Sequence, residues 1–101
     1  MIVVHTRLPI KEEFQEQFLK HLQKRSHDEL SAMEGFEGIS ILKPLTVPHM
    51  LPNNTFVIET KWKDLESFLG YTRSEAFKKS HENLPPQEWF AGAASVEVFE
   101  A

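Results

Sequence analysis

The order in which strand-like and helix-like segments follow one another is the feature that most constrains this chain. Alternating or clustered apolar residues predict four strands, at 1–8, 38–44, 55–62 and about 94–100. Helical periodicity fills 11–30 and the region from Asp64 to Pro85. The resulting order, βαββαβ, is the split arrangement of ferredoxin-like α+β proteins. We therefore predict one domain over residues 1–101, with a four-stranded antiparallel sheet and both helical segments on one face.

The boundaries of the helical segments carry their own signals. In the first segment, Phe14, Phe18 and Leu22 repeat every four residues and form an apolar stripe. Gly35 follows that segment and can take the left-handed conformation that ends a helix. In the second segment, Asp64 is a favourable N-cap. The run Thr72-Arg73-Ser74 is expected to interrupt the second segment, so that Ser74 caps a further short helix.

The strands carry apolar side chains on both faces, although the helices suffice to cover only one. Ile2, Val3 and Val4 are consecutive in the first strand, and Val57 alternates with Phe56 and Ile58 in the third. A monomer would leave an apolar patch in water, which soluble monomers seldom do. We therefore predict a homodimer in which two sheets pack face to face.

Composition excludes several classes of function. The chain has no cysteine, which removes disulfides, thiolate metal sites and cysteine nucleophiles. Its net charge of −4 gives no reason to expect nucleic acid or an anionic membrane as partner. Its first residues lack the basic and apolar regions of a signal peptide, and no stretch approaches the roughly 20 apolar residues of a membrane span. We expect a cytoplasmic protein.

Four polar or aromatic side chains are candidates for chemistry. His81 shares a helical face with Phe77, four residues earlier, and it is either an iron ligand, a base or a surface histidine. His21 and Arg25 fall on the stripe of the first helix, where they either bind a carboxylate or cover apolar surface with their stems. Tyr71 stands at the helical break ten residues before His81, so it could face the same cavity.

Three segments together resemble one known family. They are Met33-Glu34-Gly35-Phe36-Glu37-Gly38, Trp62-Lys63-Asp64 and Phe77-Lys78-Lys79-Ser80-His81. Their order and spacing resemble the antibiotic-biosynthesis-monooxygenase superfamily across nearly the whole chain. Within it, the chain is most similar to the haem-degrading monooxygenases of the iron-regulated surface-determinant type.

This resemblance implies a dimeric α/β barrel with one haem in a cleft between the helices and sheet of each protomer. It also implies that His81 is the axial ligand of the haem iron. The family has an asparagine in strand one, which helps to position iron-bound oxygen, and this chain has Thr6 there. The family tryptophan that distorts the macrocycle corresponds to Tyr71. Phe68 would join Tyr71 as a wall of the macrocycle, and Arg25 would meet a propionate.

The implied function is a haem-binding monooxygenase that oxidatively degrades haem and releases iron, with electrons from an external donor. Two alternatives stay open because the fold alone does not determine the reaction. One is a cofactor-free monooxygenase of aromatic or quinone-like molecules, with His81 as the base. The other is a non-catalytic dimeric module that binds a small hydrophobic ligand.

Overall fold

A computed structural model describes residues 1–25, 27–82 and 84–101 of the chain. Its four strands are β1 (Ile2–Pro9), β2 (Phe36–Leu42), β3 (Thr55–Trp62) and β4 (Ser95–Glu100). Its four α-helices are α1 (Gln15–Gln23), α2 (Asp28–Ser31), α3 (Leu65–Thr72) and α4 (Glu75–Glu82). Single 3₁₀ turns lie at Glu12–Phe14 and Gln87–Trp89.

The strands form one antiparallel sheet in the order β2-β3-β1-β4. At its centre, Val4 pairs with Thr60 of β3 on one side and with Val98 of β4 on the other. The buried side chains of β1 and β3 lie on the same face, and the helices pack there. The predicted ferredoxin-like α+β fold is confirmed, and within one chain its sheet is open.

The first helical segment is shorter than predicted. A continuous helix over 11–30 is wrong, because α1 ends at Gln23 and α2 begins at Asp28. Phe18 and Leu22 of α1 are buried, but no apolar residue follows Leu22 at the next helical positions to extend that stripe. Ser26, within the predicted helix, lies outside the described residues.

The apolar core beneath the helices has two parts. One is built around four buried residues, Ile10, Phe18, Leu22 and Phe56. The other is built around Ile2, Val4 and Trp62, with Leu30, Met33, Phe36, Phe68 and Tyr71 packed against them. α1 serves the first part, whereas α2 and α3 serve the second. The interruption between α1 and α2 therefore lets one helical segment cover two regions of the sheet.

Short polar contacts cap the first turns of α3 and α4. The Asp64 carboxylate accepts hydrogen bonds from the Ser67 hydroxyl and backbone N–H, both at 2.8 Å, and these bonds lower the pKa of Asp64. Ser74 accepts a hydrogen bond from the Phe77 backbone N–H at 3.2 Å. The predicted caps at Asp64 and Ser74 are confirmed, and the predicted interruption lies at Arg73 and Ser74, because Thr72 is still the last residue of α3.

The sheet face away from the helices is more polar than the sequence pattern indicates. Val57 and Phe99 lie on it, but the His5 imidazole meets the Glu59 carboxylate at 2.8 Å in the middle of this face. Arg7 pairs with Glu97 at 3.5 Å beside them. The uncovered face thus combines apolar side chains with a band of paired charges.

None of the helices in the described ranges is long and apolar enough to cross a membrane.

The turn before β2 yields a prediction about stability. Gly35 has φ of +79°, and a Cβ built there would overlap the Oγ and Cβ atoms of Ser67. Gly35→Ala should therefore lower the free energy of unfolding by about 1–3 kcal/mol, since it meets both an unfavourable backbone conformation and a clash. Urea denaturation measures the change. Gly38→Ala is the matched control, because nothing lies within 4 Å of its Cβ position, and equal losses in both variants would contradict the prediction.

Candidate functional site

A cleft of about 530 Å³ opens between the end of α1 and helix α4. This volume lies within the usual range of small-molecule sites. Its lining includes His21, Lys24, Arg25, His27, Glu29, Leu30, Tyr71, Ala76, Lys79, Ser80 and Leu84. Lining residues between His21 and Leu30 supply one wall of the cleft, and α4 supplies the other. The shape of the cleft therefore depends on how the end of α1 packs against α4.

Positive charge is concentrated in this cleft, although the chain as a whole carries a net charge of −4. The described lining residues include three cationic side chains, Lys24, Arg25 and Lys79, and one carboxylate, Glu29. Lys79 donates to Glu29 at 3.1 Å across the mouth, and this hydrogen bond raises the pKa of Lys79. The balance of charge favours an anionic group in the cleft.

Arg25 joins the two walls of the cleft. Its Nη2 donates to the backbone carbonyl of Ser80 at 2.9 Å. This bond ties the end of α1 to the last turn of α4. A guanidinium carries five N–H donors, so the remaining donors can serve a ligand.

His21 brings a buried nitrogen to the cleft. Its ring lies between Phe18 and Trp89, with centroid distances of 6.5 Å to each. Its Nε2 is buried and has no hydrogen-bond partner among the described residues. Buried polar atoms are nearly always paired, so this nitrogen is suited to contact a ligand.

A column of rings runs from the core to α4. Trp62, fully buried, stacks on Tyr71 at 5.2 Å with an angle of 26° between the planes. Phe77 meets the edge of Tyr71 at 5.4 Å, and the His81 ring follows Phe77 at 4.1 Å. Tyr71 lines the cleft whereas His81 is not among its lining residues, so the structure does not bring the two side chains into one cavity as expected.

His81 is exposed and lies outside the lining of the cleft, on the same helix. Its Nδ1 lies 2.9 Å from the Phe77 carbonyl oxygen and 3.1 Å from the Ser80 hydroxyl. No described residue hydrogen-bonds to its Nε2. The ring is held at one nitrogen while the other is accessible.

Thr6 and Phe68 stand apart from this cleft. Thr6 faces the helix side of the sheet between Ile58 and Val96, and it is partly buried. Val96 beside it is 59% exposed, so this strip of the sheet lacks helical cover. Phe68 packs in the core against Trp62, with ring centroids 6.0 Å apart.

Sequence reasoning missed Ser80, Lys79 and Glu29. Ser80 touches both Tyr71 and His81, and its carbonyl accepts from Arg25. The feature of the sequence that could have identified Ser80 is its position immediately before His81, a candidate site residue. Glu29 and Lys79 are 50 residues apart and meet only through tertiary packing.

Comparison with known proteins identifies the family. The model of the antibiotic biosynthesis monooxygenase family matches residues 1–83. A staphylobilin-producing haem oxygenase of Staphylococcus haemolyticus is 31% identical over 83 residues, which are 82% of this chain and 75% of that protein.

Solved structures share the fold. The haem-degrader MhuD from Mycobacterium tuberculosis, with two haems bound in its active site, gives a TM-score of 0.77 at 20% identity, over 100% of this chain and 95% of that one. A conserved protein from Methanosarcina mazei gives 0.70 at 20% identity, over 97% and 89%. The family match covers most of the chain, and the resemblance inferred from the three sequence segments is confirmed. The chain therefore belongs to the antibiotic biosynthesis monooxygenase family, and it is a monooxygenase.

Proposed function

We propose that this protein is a haem-binding monooxygenase that oxidatively degrades haem and releases its iron. The observation that carries the proposal is the state of His81, whose Nδ1 is hydrogen-bonded while Nε2 is accessible. A histidine that ligates a metal through Nε2 commonly donates its other N–H to a backbone carbonyl. The Phe77 carbonyl at 2.9 Å is such a partner, so the donor set fits haem iron.

The basic cleft supports the same proposal. Haem carries two carboxylates, and Arg25 and Lys24 lie where a carboxylate would be neutralised. Tyr71 offers a ring that is held in place by Trp62. Thr6 would donate a hydrogen bond from the sheet. Contact of Phe68 with the macrocycle stays a prediction, since Phe68 packs in the core.

Haem, when bound, would supply the chemistry that activates oxygen, with electrons from an external donor. The chain's own residues would hold the iron at His81, neutralise the carboxylates and limit access of water. The names of two relatives support this choice, since one is a haem oxygenase and the other a haem-degrader. We propose the cytoplasm as the compartment, since the chain uses no cysteine.

A cofactor-free monooxygenase of quinone-like molecules is the second candidate. The observation in its favour is again the exposed His81, whose Nε2 has no hydrogen-bond partner among the described residues and would act as the base. Oxygen uptake with a panel of quinols and no haem tests it. Uptake that His81→Ala abolishes would support this candidate, and absence of uptake by the wild type would contradict it.

We further propose that two copies pack through their sheets. Val57 and Phe99 on the uncovered face would be buried, while the His5–Glu59 and Arg7–Glu97 pairs would keep their charges compensated. β4 is exposed along its whole length, and a second copy would cover it.

The axial role of His81 predicts the behaviour of one variant. His81→Ala should weaken haem binding by about tenfold or more and alter the ferric spectrum, because alanine offers no nitrogen to the iron. A haem titration followed at the Soret band measures both quantities. His27→Ala is the matched control, since His27 lines the cleft without a predicted ligand role. An unchanged spectrum and affinity in His81→Ala would rule out ligation by this residue.

This chain has Thr6 and Tyr71 where the family has asparagine and tryptophan, and this difference predicts slow degradation of haem. A hydroxyl reaches less far than an amide, and a phenol is narrower than an indole, so we expect the wild type to degrade haem slowly or to give a product mixture. Loss of one well-placed hydrogen bond to a developing charge can cost about 10²–10³ in rate. Thr6→Asn/Tyr71→Trp should therefore accelerate decay of the Soret band in single turnover, with little change in affinity. Catalase is added to the assay to remove free peroxide. Equal rates of Soret-band decay in the wild type and the double variant would refute the expected effect of Thr6 and Tyr71.

The sheet-to-sheet dimer predicts a mass in solution. Sedimentation should give about twice the 11.7 kDa of one chain. The interface should be roughly 2,000 Å² or larger in total, as in obligate dimers. Val57→Lys places an unpaired charge at the proposed interface and should shift the equilibrium towards monomer, whereas Lys20→Glu on the exposed side of α1 should not. A stable monomer of the wild type in dilute solution would contradict the proposal.

A further inference from the structure

Two cationic side chains connect the walls of the cleft at one turn of α4. Arg25 crosses from the end of α1 and donates to the Ser80 backbone carbonyl at 2.9 Å. Lys79, the residue before Ser80, crosses in the other direction and donates to Glu29 in α2 at 3.1 Å. The first contact uses an uncharged backbone acceptor, whereas the second uses the carboxylate among the described lining residues.

The Lys79–Glu29 pair is held loosely. The side chain of Lys79 is 61% exposed and that of Glu29 is 58% exposed. Exposed ion pairs contribute little to stability, because water and salt screen the two charges. The ammonium of lysine also stands on a flexible stem of four carbons. Lys79 can therefore leave Glu29 for another anion at a small cost in free energy.

The rest of the lining indicates which anion would compete with Glu29. Four apolar or aromatic side chains line the cleft, those of Leu30, Tyr71, Ala76 and Leu84. Lys24 and Arg25 add positive charge on the wall opposite α4. An apolar lining with a few charged groups suits a ligand that has an apolar body and a charged end of opposite sign. A carboxylate on such a ligand would meet Lys79 beside the Glu29 carboxylate.

We propose that Lys79 is a further binding residue, which pairs with Glu29 in the empty cleft and with the carboxylate of an amphipathic ligand in the occupied cleft. Glu29 is then a specificity residue, because a ligand without a carboxylate leaves the Lys79–Glu29 pair in place. The inference rests on the proposed function only for the identity of the natural ligand, since haem would present such a carboxylate. The exchange of partners depends on the cleft alone.

Two fluorescent probes test the exchange without haem. Pyrenebutyrate has an apolar body and a carboxylate, and its amide has the same body without charge. In fluorescence titrations at one fixed ionic strength, the wild type should bind the acid more tightly than the amide. Lys79→Gln should weaken binding of the acid about two- to fivefold, as expected for a partly exposed ion pair, and leave binding of the amide unchanged. Lys79→Arg, which keeps the charge, should retain the wild-type affinities.

The role of Glu29 is tested by combining two variants. Glu29→Gln should strengthen binding of pyrenebutyrate, because Lys79 then has no internal partner to give up. Lys79→Gln should cost more affinity in the Glu29→Gln background than in the wild type, by about twofold or more, since the free Lys79 is lost there. Two charges that act independently on the probe would instead give equal factors in both backgrounds.

Lys78→Gln is the matched control. It removes the same charge from the same helix, but Lys78 is exposed and is not among the lining residues of the cleft. Its effect on binding of pyrenebutyrate should be smaller than that of Lys79→Gln. Because Glu29, Lys78 and Lys79 are all exposed, these substitutions should leave the fold unchanged.

The outcomes separate this proposal from the proposed function. Equal factors in the two backgrounds, equal effects of Lys78→Gln and Lys79→Gln, or a wild type that binds the acid no more tightly than the amide would overturn the exchange. A wild type that shows the expected pattern with pyrenebutyrate but binds no haem would refute the haem proposal and support the role of Lys79. A wild type that binds haem but shows no effect of Lys79→Gln on pyrenebutyrate would support the haem proposal and overturn the role of Lys79.

Discussion

Burial of Trp62 is the interaction on which the rest of this structure depends. The indole is fully buried at the end of β3, and its Nε1 donates to the Thr60 hydroxyl at 3.0 Å, so no polar atom is left unpaired. Phe36 of β2 and both Phe68 and Tyr71 of α3 pack around it. Because large aromatic side chains contribute much of the energy of a core, this cluster fixes α3 against the sheet. The position of Tyr71 in the cleft follows from that contact.

The cleft exists because the first helical segment bends between two regions of the core. α1 buries Phe18 and Leu22, whereas α2 places Leu30 over Trp62. Lys24 and Arg25, between these anchors, are polar and line the cleft that faces α4. Two contacts span the gap, from Arg25 to the Ser80 carbonyl and from Lys79 to Glu29. The Lys79–Glu29 ion pair is exposed, and such pairs contribute little to stability. The buried aromatic cluster around Trp62 therefore contributes more than this pair to the positions of the cleft walls.

The candidate site was predictable only in part. Tyr71 lines the cleft, but His81 lies outside the lining, although the helical break between them was expected to place both in one cavity. Ser80 was not predicted, because a serine in a helix ordinarily bonds its own backbone, and only the approach of Tyr71 and Arg25 gives it further partners. Thr6 became a candidate only through the resemblance to the family, which has an asparagine there, and the structure places it beside a strip of sheet that the helices leave open. The roles of these residues towards a ligand stay predictions.

The sequence by itself determined the order of the elements, the caps at Asp64 and Ser74 and the left-handed turn at Gly35, because each depends on neighbours within a few residues. The tertiary structure alone decided which charges meet across the cleft and which backbone carbonyl Arg25 reaches. Those outcomes depend on contacts between residues about 50 positions apart, such as Arg25 with Ser80. Local periodicity carries no information about them, since the free energy that selects them comes from packing between elements.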